Sequence, residues 1–237
     1  MKFSKSIFYT LILLSFFSCR ERDGSSDNRY DEIKDLNGVS KLKIKGVFNL
    51  MLTQSDQESI QIIGSQKLAE KLQINQNGDL LELTLEDVKS SFFEMDDLEV
   101  RLSISDLESF QFNGVGNIQT KNAFVTEKTA IKGEGVGNLE LEIESQQISA
   151  DLNLVGSMKL KGESDLLNIT NEGIGNIDAS QHNAQKVNLI SSGIGRVAVH
   201  CTGELSLDVS GIGEVKYTGN PTVIKENVSG IGKVTRN

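Results

Sequence analysis

Few side chains in this 237-residue sequence are placed where they could do chemistry together. Cleavage of a polysaccharide needs two carboxylates, or a carboxylate and a basic partner, converging on one face. Asp151 and Asp208 share a phase of the repeat described below but stand three repeats apart, and Asp165 and Asp178 fall at other phases. His200 stands beside Cys201, but two neighbouring ligand types do not make a metal centre, which takes three or four converging donors. No catalytic, metal or cofactor residues are therefore assigned.

What repeats is not reactive. Two glycines bracketing one β-branched residue recur as Gly114–Val115–Gly116, Gly135–Val136–Gly137, Gly173–Ile174–Gly175, Gly193–Ile194–Gly195, Gly211–Ile212–Gly213 and Gly230–Ile231–Gly232. A degenerate copy, Leu154–Val155–Gly156, keeps only the second glycine. The first positions are 21, 19, 19, 20, 18 and 19 residues apart. Such a period marks a solenoid, in which each turn buries its apolar side only by stacking on its neighbours. The flanks alternate with period two, as in Leu205–Ser206–Leu207–Asp208–Val209, which is a strand pattern. The expected fold is all-β, a parallel β-helix (β-solenoid) with about 19-residue rungs. A dinucleotide or phosphate loop needs one glycine-rich turn between a strand and a helix, and seven copies without helices argue against it. The calcium-binding repeats of secreted toxins have a nine-residue period with an aspartate ligand; here asparagine follows the glycines.

Phase sharpens the expectation. One position after the first glycine stand Val115, Val136, Val155, Ile174, Ile194, Ile212 and Ile231, and four positions after it Ile118, Leu139, Met158, Ile177, Val197, Val215 and Val234. Both columns are apolar, so both are expected inside. Two positions further, Thr120, Leu141, Leu160, Ala179, Val199 and Tyr217 continue inward until Arg236 breaks the column at the last rung, and the same phasing buries Cys201. Charges alternate in sign between rungs, as in Glu140, Lys159, Asp178 and in Lys121, Glu142, Lys161, which keeps like charges from facing each other. Asn117, Asn138, Ser157 and Asn176 form a further column that becomes Arg196, Glu214 and Lys233. Its amides either ladder along one corner or are simply tolerated at a turn.

The amino-terminal half lacks the double glycine. Strand patterns occur at residues 60–63, 81–85 and 98–104, and residues 66–72 have the composition of a single short helix. This part, residues 36–110, is expected to form wider, less regular turns that cap the regular repeats of 111–237.

At the start, Lys2 and Lys5 precede an apolar run from Ile7 to Phe17, followed by Ser18 and Cys19. That run suits a signal peptide over residues 1–18 and is too short to span a bilayer. A small residue before cysteine resembles a bacterial lipoprotein processing site, with Cys19 as the acylated residue, although Phe16 stands where leucine is commoner. Arg20 follows in place of the aspartate that commonly retains lipoproteins in the inner membrane, so an outer membrane lipoprotein is expected, facing the cell surface or the periplasm. Residues 19–35 read as a flexible tether. Without the signal segment the chain carries 22 basic and 33 acidic residues, a net of −11, which disfavours nucleic acid as a partner.

The double-glycine signature, the export signal and the charged tether together resemble the putative auto-transporter adhesin family with a head GIN domain, from about Lys41 to the end and including the Asn77–Gly78–Asp79–Leu80 hairpin. The resemblance implies a β-solenoid head in the cell envelope and carries no catalytic or ligand residues with it. Two functions follow. One is a non-catalytic envelope lipoprotein, membrane-bound through its lipid, that contacts an extracellular glycan or protein. The alternative is a polysaccharide lyase or hydrolase built on a β-helix, for which the scattered aspartates speak poorly.

Overall fold

A computed structural model describes residues 29–85 and 98–236. Cys19, residues 1–18 and the first part of the expected tether lie outside the described residues.

The chain winds as a β-solenoid of about six turns with rungs about 20 residues apart, and 81% of the described residues are in strands. The first rung of the winding is β1 (Lys41–Val47) followed by β2 (Asn49–Gln54). On it lies β3 (Ser109–Thr120), parallel and with Val47 opposite Val115 and Leu50 opposite Ile118. β4 (Phe124–Asn171) then runs for 48 residues through successive turns. It is followed by β5 (Ile174–Ser191), β6 (Ile194–Val209), β7 (Ile212–Thr218), β8 (Thr222–Val228) and β9 (Ile231–Arg236). All these pairings are parallel. The rung partners Val115 and Val136, Val155 and Ile174, Ile174 and Ile194, Ile194 and Ile212, and Ile212 and Ile231 are those the glycine period sets.

Alternation fills the inside. Ile118, Leu139, Met158, Ile177, Val197 and Val215 are buried in one column, and Leu141, Leu160, Ala179 and Val199 in the next. A third column, on the stretch before the glycines, stacks Ile169, Leu189 and Leu207. Arg236 is exposed on the last rung. Because the cores of successive rungs touch, each turn completes the burial of its neighbours.

The amino-terminal cap departs from chain order. β10 (Leu80–Thr84) and β11 (Leu98–Ile104) lie parallel to β1 and β2 on the side away from β3, so the first rung is sandwiched between later segments. Three antiparallel strands close this end. β12 (Ser59–Ser65) pairs with β11, β13 (Arg29–Asp35) pairs with β12, and β14 (Gln73–Asn77) forms a hairpin with β10 through Gly78, whose φ is +61°. The cap is thus built from antiparallel strands, one hairpin among them, around one extra rung rather than from wide turns. The short helix expected at 66–72 is present as α1 (Gln66–Ala69). Residues 29–35, expected as tether, are instead a strand paired along its length with β12.

Candidate functional site

Three of the four aspartates weighed as catalytic groups are engaged separately. Asp208 accepts from Lys225 Nζ at 2.7 Å and Asn227 Nδ2 at 3.1 Å, and the lysine's hydrogen bond holds its carboxyl below the usual range. Asp178 is held low chiefly by the Ser180 hydroxyl, and Asp165 accepts from Gln185 Nε2 at 3.0 Å. His200 turns its Nδ1 to Thr218 Oγ1, 2.8 Å away, while the Cys201 thiol is buried and donates to the Glu204 carbonyl at 3.2 Å. Burial pushes that thiol up. Register shifts on either side of Ala184 place Cys201 opposite Ala184.

One buried polar pair escaped the sequence reading. His182 is fully buried, with Nε2 2.8 Å from Ser164 Oγ and Nδ1 3.2 Å from the Lys161 carbonyl. Its rung partner is Gly162, where a Cβ would stand 2.2 Å from the Ile143 carbonyl oxygen of the rung before. Desolvation pushes the imidazole down, so the neutral ring donates through Nδ1 and accepts the Ser164 hydroxyl at Nε2. Near this corner lies an open cleft of about 340 Å³ lined by residues including Glu144, Glu163, Asp165 and Asn183.

The largest departure from the sequence reading concerns the residue between the glycines. Val136, Val155, Ile174, Ile194 and Ile212 are 45–52% exposed and Ile231 is 80% exposed. They form an aliphatic ladder on the outside. The expectation that this column points inward is overturned, and the reason is parity. Strand alternation runs unbroken from Phe112 to Ile118, so the residue three positions before the buried Ile118 must face out. The glycines hold the inward phases, pressed against the previous rung. A Cβ on Gly175 would stand 1.8 Å from the Gly156 carbonyl oxygen, and φ at Gly175 is +146°.

Two polar columns flank the ladder, one two residues further along the same strand and one two residues before it, across the bend at the first glycine on the later rungs. Beyond it, the asparagines form the amide ladder that the sequence left open. Asn117 Nδ2 donates to Asn49 Oδ1 at 3.2 Å, Asn138 Nδ2 to Asn117 Oδ1 at 3.0 Å, and Ser157 Oγ to Asn138 Oδ1 at 2.6 Å. In the same column Glu214 lies 3.5 Å from Arg196 and 3.2 Å from Lys233. Before the ladder stand Glu134, Asn153, Glu172, Ser192, Ser210 and Ser229.

The family described as putative auto-transporter adhesin, head GIN domain, matches residues 39–221. The chain belongs to this family. No curated protein matches it. A crystal structure of a putative adhesin from Bacteroides fragilis shares 26% identity and a TM-score of 0.79, over 88% of this chain and 97% of that one. A putative adhesin from Parabacteroides distasonis has a TM-score of 0.66 at 17% identity, over 90% and 98% of the two chains. A protein of that species named a putative lipid binding protein has a TM-score of 0.59 at 19% identity, over 87% and 96%. The last two likenesses concern the fold. In this member of the head GIN family, the double glycine is what the solenoid geometry demands, and the residue between is the one it leaves facing water.

Proposed function

We propose that the chain is exported, acylated at Cys19 and held at the outer membrane, where its solenoid is a non-catalytic head that makes adhesive contacts. The observation that carries this reading is the aliphatic ladder. An exposed apolar stripe that long, rimmed by hydroxyls, amides and charges, is a surface suited to contact with a partner rather than to water. The family name and the adhesin from Bacteroides fragilis support an adhesion role. Arg20, in the place of an inner-membrane retention aspartate, supports the outer membrane.

Cells displaying the chain should adhere to a surface or to one another more than cells displaying the Ile174→Lys, Ile212→Lys double variant. Equal adhesion by the two, or depolymerised product from a glycan array incubated with the protein, would overturn the reading. Cys19→Ser should release the protein from the detergent phase, and protease shaving of intact cells should degrade the head if it faces outward.

A further inference from the structure

Three asparagines of this chain precede a glycine, in Asn37–Gly38, Asn77–Gly78 and Asn113–Gly114. Asparagine is a thermolabile residue, and it is most labile before glycine, where no side chain screens the next backbone nitrogen. That nitrogen attacks the side-chain carbonyl carbon and forms a C–N bond, and the side-chain amide leaves as ammonia, taking the glycine amide proton. Water then opens the cyclic imide at one carbonyl to give aspartate, or at the other to give isoaspartate. Water is the only co-reactant. What decides between the three sites is whether the fold leaves the glycine nitrogen free to reach the side chain.

Asn113–Gly114 is locked. It lies within β3, with Gly114 paired to Gly46 on one side and to Gly135 on the other. A Cβ on Gly114 would stand 1.9 Å from the Gly46 carbonyl oxygen, so the backbone has no room to move. Asn113 Nδ2 is itself engaged, donating to Glu134 Oε2 at 3.1 Å. Asn37–Gly38 is exposed but tied down. The Glu58 carboxylate accepts from the Gly38 and Val39 amides, the latter at 3.1 Å, and the Asn37 carbonyl accepts from Gln76 Nε2 at 2.7 Å. Asn77–Gly78 is exposed at the tip of the hairpin. Gly78 stands in the turn between β14 and β10, outside their ladder, and nothing lies within 4 Å of where its Cβ would be. Its carbonyl accepts from Gln76 Nε2 at 3.0 Å, but among the described residues no side chain holds its nitrogen.

We propose that Asn77 is a modification site, which deamidates spontaneously to aspartate and isoaspartate in the folded chain while Asn37 and Asn113 are protected. The proposal does not rest on the adhesive reading. Isoaspartate routes the main chain through the former side-chain carbonyl and lengthens it by one methylene, which breaks the pairing of residue 77 with Leu80. Either product puts a new carboxylate two residues from Asp79, beside the pair that Asp79 makes with Lys41 at 2.6 Å. β14 is an edge strand with four of its five residues exposed, so the change stays within the hairpin.

Full-length chain in detergent, held in mildly alkaline buffer, sampled over time and digested in acid for peptide mass spectrometry, tests this. The Asn77 peptide should gain the mass of deamidation and become a substrate for isoaspartate methyltransferase. Asn37 should react about tenfold more slowly, because a bond to a charged group holds its glycine. Asn113 should be slower by at least about a hundredfold, because its segment must first leave the ladder. In denaturant the three rates should draw level. Asn77→Gln should abolish the reaction in its peptide and leave the melting temperature unchanged. Hydrogen exchange in the isoaspartate form should quicken at residues 73–77 and stay slow in β3; unchanged exchange at 73–77 would overturn the effect on the hairpin. Asn37 or Asn113 reacting as fast as Asn77 in the folded chain, or an Asn77 that reacts only in denaturant, would overturn the site.

Discussion

Gly213 lies so close to Gly195 that a methyl group on the former would stand 1.8 Å from the carbonyl oxygen of the latter. The obstacle is backbone on both sides, so it cannot be relieved by a rotamer change. At Gly213, φ of +141° adds a backbone conformation that side chains resist. Gly213→Ala should therefore cost more than about 3 kcal/mol, combining overpacking with backbone strain. Gly38→Ala is the control. Its φ is +68° but nothing lies within 4 Å of its Cβ, so it should cost only about 1–2 kcal/mol. Chemical denaturation of both variants, read by circular dichroism, checks the difference; equal costs would mean that rung contact is not what fixes glycine there.

His182 and Ser164 predict an acid sensitivity separate from that of the carboxylates. Desolvation pushes the imidazole below its ordinary 6.5, with the backbone hydrogen bond to Lys161 and the nearby Glu163 pulling weakly the other way. Above about pH 6.5 both folded and unfolded chains carry it neutral, and it adds no pH dependence. As pH falls through 6.5 the unfolded chain takes up a proton that the folded chain resists, so stability declines until the folded group itself titrates. His182→Gln should flatten the melting temperature between about pH 7 and about pH 5. A slope identical to that of the unsubstituted chain would assign the sensitivity elsewhere.

The period of the glycines made the solenoid and its register legible, because a corner that admits only glycine must recur wherever one rung lies on another. The inward columns through Ile177 and Ala179 followed from alternation. The outward ladder was legible too, since Ile174 and Ile177 are an odd number of residues apart. Hydrophobicity alone suggested the wrong side. The cap was harder to read, because β10 and β11 pair with β1 and β2 across long stretches of sequence and nothing local encodes that order. His182 was missed for a related reason: its place inside follows a register shift between Asp178 and Gln181 that no local pattern announces.

Lys161 reaches diagonally to Glu140, 2.7 Å away, rather than straight across to Glu142. The same carboxylate lies 3.7 Å from Lys159. The Lys161 hydrogen bond is the main cause holding the Glu140 carboxyl low. Lys161→Gln removes the attraction, whereas Lys161→Glu adds repulsion from both Glu140 and Glu142. The reversal should lower the melting temperature more than the neutralisation, and high salt should narrow the gap because these groups are exposed and screened. On acidification any contribution from Glu140 is present above its unfolded value of 4.5 and is lost as pH falls through its lower folded value. Equal melting temperatures for the two variants at low salt would show that the alternating charges do nothing for rung stacking.

Ile174 and Ile177 share a rung and a side-chain type but face opposite ways, which makes them a direct test of the ladder. Ile174 is 52% exposed and Ile177 6%. Replacing Ile177 by threonine removes buried methyl surface and places a hydroxyl between the side chains of Met158 and Val197, its rung neighbours. Lost transfer energy and an unsatisfied polar group together should cost about 2–3 kcal/mol. Ile174→Thr keeps the β-branch that strands favour, removes apolar surface already half in water, and leaves its hydroxyl hydrated. Its cost should stay within about 0.5 kcal/mol. Unfolding midpoints of the two variants settle which column is inside. A large loss at Ile174 with little at Ile177 would return the ladder to the core and remove the surface on which the adhesive contacts depend.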